Sequence, residues 1–209
     1  MYPSEIARER AADGAVHVLG LSLVTISAIS LMVGAATQFH IGMTLACAVY
    51  CTCVLASFAS SATYHLLPRH EWRRTLRRLD HTAIYAMIAG TFTPLLVYIG
   101  STWAFVVLVA VWTFAIPAMI YKLVGDKIEP RWSLASYLAL GWMGVFAAPE
   151  FYEHLPPVSI AAIFTGGFFY TFGTIFYARK KQVFRYAIWH IFVLLGTASF
   201  FVAVWTTVF

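Results

Sequence analysis

Several ionisable and hydroxyl side chains recur at helical spacing in otherwise apolar surroundings. Ser61 and His65 are four residues apart, as are Tyr186 and His190. Glu9, Asp13 and His17 form an i, i+4, i+8 series, and Asp80 precedes His81. Residues four apart lie on one face of a helix, so each set points one way if its segment is helical. Imidazoles gathered with a carboxylate suggest a metal site, and zinc commonly takes His nitrogen with Asp or Glu oxygen. Other roles are open to the same residues. Asp80 could be the N-cap of a helix, Ser61 could bond its own backbone, and a His near a helix end often only hydrogen-bonds locally.

The elements that must carry these residues follow from charge and hydropathy. Of 209 residues, 61% are apolar and only 11% charged, and the mean hydropathy is +0.77. A soluble domain of this size cannot hide so much apolar surface, so the chain reads as an integral membrane protein. Residues 14–68, 81–121, 132–149, 154–178 and 186–209 contain no Asp, Glu, Lys or Arg. About 20 apolar residues cross the hydrocarbon core once, so the first two stretches hold two spans each and the others one each. The expectation is an all-α bundle of seven transmembrane helices forming a single domain. The spans fall at approximately 14–36, 41–66, 80–99, 102–122, 132–148, 157–178 and 184–208. Pro94 and Pro117 lie inside spans, which membrane helices tolerate.

The fourteen Lys and Arg fall before the first span or between spans 2 and 3, 4 and 5, and 6 and 7. With seven spans all of them share one side, which the positive-inside rule makes cytoplasmic. The N-terminus is then inside, the C-terminus outside, and the expected location is the plasma (inner) membrane. The net charge of +5 reads as topology and contact with anionic lipid. Membrane lipids are the expected partners; nucleic acid is not, because the basic residues are split among short segments. Cys47, Cys51 and Cys53 share one span and read as small apolar residues. His40, His70 and His154 read as turn or solvated loop residues. This topology puts His17, His65, Asp80, Tyr186 and His190 near one shallow level at the inner surface, where ionisable groups are costly and functional by default.

Five stretches carry a resemblance: ERAADGAVHVLG at 9–20, SSATYHLLP at 60–68, LDHTAIYAMIAGTFTP at 79–94, GGFFYTFGTIFYARK at 166–180 and IWHIFVLLG at 188–196. On these the chain resembles the bacterial hemolysin III family, within the superfamily of progestin and adipoQ (adiponectin) receptors. The resemblance implies zinc held near the cytoplasmic face by one His of the second helix and two of the seventh. It makes His65 the first ligand, His190 the last, and Asp80 the residue that holds the water beside the metal. Ser61 matches the family Ser one turn before the first ligand.

Three positions depart from the family pattern. Tyr186 stands where the first His of His-x-x-x-His is expected, Phe200 where a further His is common, and Asp13 where Asn is usual. A neutral phenol is a poor zinc ligand, so the third place must be filled otherwise. Asp80 can complete a His65–His190–Asp80 shell, which is the preferred set. Alternatively His17 can supply the third imidazole, or Tyr186 can bind as phenolate or donate to a water; the fourth outcome is that no metal binds. Asp13 is read with Glu9 as balancing Arg8 and Arg10. The implied activity is zinc-dependent hydrolysis of a lipid amide or ester, ceramidase-like, with Asp80 as general base and Ser61 as an oxyanion or positioning group. The alternatives are a non-catalytic regulator or sensor of membrane lipid state, and a pore-forming haemolysin.

Overall fold

The computed structural model describes residues 6–68, 71–125 and 130–209, with the side chains of 130 and 131 excepted. Helix α1 runs Ala7–Gln38, α2 Ile41–Leu66, α3 Arg73–Ile99 and α4 Thr102–Val124. Then come α5 (Pro130–Trp142), a 3-10 turn (Met143–Ala147), α6 (Ala148–His154), α7 (Pro157–Ala178) and α8 (Arg185–Val208). The protein is an all-α membrane helical bundle. Among the described residues six helices, all but α5 and α6, are long and apolar enough to cross a bilayer.

Two helices begin earlier than the charge-free stretches. α1 starts at Ala7 and α3 at Arg73, against expected starts of 14 and 80. Charge marks where a helix leaves the hydrocarbon, not where it unwinds, and Ala, Arg and Glu are good helix formers. Asp80 therefore lies inside α3, whose N-cap is Trp72, so it is not the capping residue of that helix. The segment expected as one span at 132–148 is instead α5, the 3-10 turn and α6. Gly141 and Gly144 weaken the helix there, and Pro149 lacks the N–H that a continuous helix needs but suits the first turn of α6. Arg69, His70 and Lys127 lie outside the described residues.

Consecutive helices are the main neighbours, and α1 also packs against α8, so the first and last helices meet. The inward stripe of α1 is Asp13, His17, Gly20, Val24, Ala28, Leu31 and Ala35, spaced three or four apart. Val18, Ile26, Ile29 and Val33 face outward, which is the expected arrangement for a helix with lipid on one side. The same spacing on α2 turns Cys47, Val54, Ser57 and His65 inward. Close approach depends on small residues. A Cβ at Gly90 of α3 would stand 2.7 Å from the Cβ of Cys53 on α2, and one at Gly173 of α7 would stand 2.6 Å from the Cβ of Phe192 on α8. At the α3–α4 turn Gly100 takes φ +68°, where a side chain would be strained. Ser101 then caps α4, its Oγ accepting from the Ala104 N–H at 3.0 Å.

Candidate metal centre

The inward stripes of α1 and α2 meet the first turns of α8 at one end of the bundle. Asp13 and His17 come from α1, His65 from the last turn of α2, and His190 from the second turn of α8. One ligand atom from each lies within 4.8 Å of those of the other three. Their side chains are 6%, 4%, 5% and 11% exposed respectively, so the group is shut off from bulk water.

Asp13 is the hub. The Nδ1 of His65 donates to its Oδ2 at 2.7 Å, and the Nδ1 of His190 to its Oδ1 at 2.6 Å. The Nδ1 of His17 donates to the main-chain oxygen of Asp13 at 2.8 Å. The ring centroids of His17, His65 and His190 are 4.2–5.1 Å apart. Ser61 Oγ bridges two of them, 3.3 Å from His17 Nε2 and 3.5 Å from His190 Nε2.

The expected residues divide. His65 and His190 meet, and His17 joins them as the third imidazole. Asp80 is not one of the four. It sits 3.4 Å from His81 Nδ1, and that nitrogen is buried without a hydrogen bond among the described residues. Tyr186 packs edge-on against His65, ring centroids 5.1 Å apart, under the Arg185 guanidinium at 4.3 Å. Asp13 is the residue that sequence reasoning passed over as a partner for surface arginines. Its signal was present in the i, i+4 spacing to His17.

The donor set fits zinc. Zinc takes imidazole nitrogen, with or without a carboxylate oxygen, and tetrahedral bonds of about 2.0–2.1 Å place ligand atoms roughly 3.3–3.4 Å apart. Shifts on the order of an ångström would bring atoms within 4.8 Å of one another to that spacing.

The cluster opens onto a cavity of about 1280 Å³, which His17, Ser61, His65, Asp80, Tyr186 and His190 line at one end. Its walls then run past Thr91 and Tyr170 to Phe151, Tyr152 and Phe200. On α3 alone the lining extends from Arg77 to Leu95, which at 1.5 Å per residue is roughly 27 Å. The walls beyond the polar end are mostly apolar, and the space is large for a small-molecule site. It has the length and lining to take an extended hydrocarbon chain.

Comparison with known proteins agrees with the resemblance. The family model described as "Haemolysin-III related" matches residues 7–201. A hemolysin-3 homolog of Bacillus subtilis (strain 168) is 33% identical over 198 residues, covering 94% of this chain and 93% of that protein. A hemolysin-3 of Bacillus cereus is 30% identical over 202 residues, covering 96% and 92%.

Proposed function

The chain belongs to the haemolysin-III related family, within the progestin and adipoQ receptor superfamily, and on that premise we propose that it is a zinc-dependent membrane hydrolase of lipid amides or esters. The observation that carries this reading is the buried Asp13–His17–His65–His190 group at the polar end of a long apolar cavity.

We place seven crossings in the plasma membrane, with the cluster on the cytoplasmic side. His17 and His190 lie early in α1 and α8, yet meet His65 at the end of α2. α8 thus starts at the level where α2 ends. α7 packs antiparallel on α8 and starts at the far level. α4 ends at the near level, where Arg78 donates to the Gly125 oxygen at 2.7 Å. On this reading the chain between α4 and α7 traverses the bundle, with α5, the 3-10 turn and α6 as the seventh crossing. That crossing also keeps Arg179, Lys180, Lys181 and Arg185 on the side of the other basic residues, as the positive-inside rule requires.

His17, His65 and His190 would hold the metal. Bound there, zinc would supply Lewis acidity toward a carbonyl and a water acidified toward about pKa 7. Asp80 faces the same cavity; it orients the attacking water and takes its proton as general base. Ser61, already between two imidazoles, donates to the developing oxyanion. The apolar walls seat the acyl chain, and Arg77 on the cavity wall lies where a polar head group would sit. Purified protein in detergent should cleave lipid amides or esters slowly, and both Asp80→Ala and strong chelator should stop it. Turnover unchanged by either would reject the hydrolase.

One observation favours a second reading. The buried group cross-links α1, α2 and α8, as a purely structural centre would in a non-catalytic regulator of membrane state. A membrane-fluidity phenotype that survives Asp80→Ala would select that reading.

A further inference from the structure

Three imidazole Nδ1 atoms end on a single residue. His17 Nδ1 meets the main-chain oxygen of Asp13, His65 Nδ1 its Oδ2 and His190 Nδ1 its Oδ1, at 2.8, 2.7 and 2.6 Å. Carbonyl and carboxylate oxygens only accept, so each Nδ1 must carry the hydrogen it donates. A neutral imidazole has one N–H, and its other nitrogen bears a lone pair. All three Nε2 atoms are therefore lone-pair donors. Two of them converge on Ser61 Oγ, whose single hydrogen serves one at a time.

Both carboxylate oxygens of Asp13 are already committed to imidazole N–H groups. Each oxygen keeps a second lone pair, so a metal bonded there would share it with an imidazole N–H, whereas the Nε2 lone pairs are shared with no N–H. We infer that Asp13 is a positioning residue and not a ligand. It fixes one tautomer on all three histidines, through its main chain for His17 and its carboxylate for the other two, and so presents three Nε2 lone pairs to one shared ion. The site is then a three-imidazole centre with an open fourth position, an arrangement that zinc adopts where it does chemistry. Asp13 plays the outer part that orients metal-binding histidines and raises their basicity.

This inference rests on the metal reading above, and two measurements keep their failures apart. The first needs no metal. In chelator-stripped protein in micelles, ¹⁵N-histidine NMR should show the Nδ1–H tautomer on His17, His65 and His190, assigned by single His→Gln variants. Asp13→Asn offers one acceptor oxygen and an amide that only donates. It should force one of His65 and His190 to the other tautomer and leave His17 unchanged. The Nε2–H tautomer on two or more of these histidines in the wild type would overturn the inference, whether or not any variant folds.

The second measurement is zinc affinity by chelator competition, with X-ray absorption to count ligands. Asp13→Asn should weaken zinc by about 10–100-fold while three imidazoles remain bound. Unchanged affinity, or a carboxylate ligand that disappears in Asp13→Asn, would overturn the positioning role and leave the metal site standing. Wild-type protein that takes no zinc yet shows the three Nδ1–H tautomers would sink the metal reading and leave the tautomer clamp.

Discussion

Two buried polar groups sit at the same end of this bundle, and they differ in how their hydrogen bonds close. In one, Lys122 of α4 donates to Ser133 Oγ of α5. Ser136 Oγ donates to the Ser133 main-chain oxygen at 2.9 Å, the Tyr85 hydroxyl meets Ser136 Oγ at 2.6 Å, and the Tyr137 hydroxyl donates to the His81 main-chain oxygen at 2.9 Å. Each contact joins α5 to α3 or α4 or holds a turn of α5, and each is made by an ammonium, a hydroxyl or a main-chain oxygen, not by an imidazole. In the other, every imidazole N–H ends on Asp13 and three ring nitrogens are left as lone-pair donors, two of them meeting at Ser61 Oγ. Burial of polar side chains is common to both. Convergence of unspent lone pairs distinguishes a site from a staple, and α5 needs the staple because it is only 13 residues long.

The comparison can be broken or sharpened by substitution. The largest effect is expected at Asp80. Asp80→Ala should lower lipid hydrolysis by about 10²–10⁴-fold, the range for a positioned general base, with zinc content unchanged by elemental analysis. Parallel loss of zinc would show that Asp80 belongs to the cluster after all. Next is His65→Ala, which strips the donor from Asp13 Oδ2 and leaves a buried carboxylate oxygen unpaired. It should cost about 1–3 kcal/mol, as leaving a buried acceptor unsatisfied does, read as a lowered midpoint of unfolding in detergent. A shift no larger than at a lipid-facing site such as Ile29 would mean that the cluster is not the closed hub described above. The smallest effect belongs to the staple. Tyr85→Phe removes one hydrogen bond, worth about 0.5–1.5 kcal/mol, and should leave zinc affinity at the wild-type value. A change in affinity there would join the two groups into one network.

These expectations draw on features of unequal visibility in the sequence. Long charge-free stretches reveal the membrane, because a charge in hydrocarbon is excluded wherever it occurs in the chain. The i, i+4 pairs and the level of each helix end pick out His65 and His190. Which acid joins them is not visible that way. Asp13 and Asp80 are at similar depth, and the choice depends on rotation of α1 and α3 about their axes. That rotation is set by packing such as Gly20 beneath Phe58 and Gly90 against Cys53, and the decisive contacts join residues 52 and 177 positions apart. The break after Trp142 is obscure for a related reason. Its glycines are tolerated in membrane helices, so only their neighbours decide whether the helix continues.

The most direct test of the metal centre is the zinc content of protein purified without added metal, measured beside His17→Ala, His65→Ala and His190→Ala. The arrangement described predicts close to one zinc per chain in the wild type and near zero in each variant, with Lys122→Met at the wild-type level. Equal, near-zero zinc in all of them, or full occupancy that survives loss of any one imidazole, would contradict it.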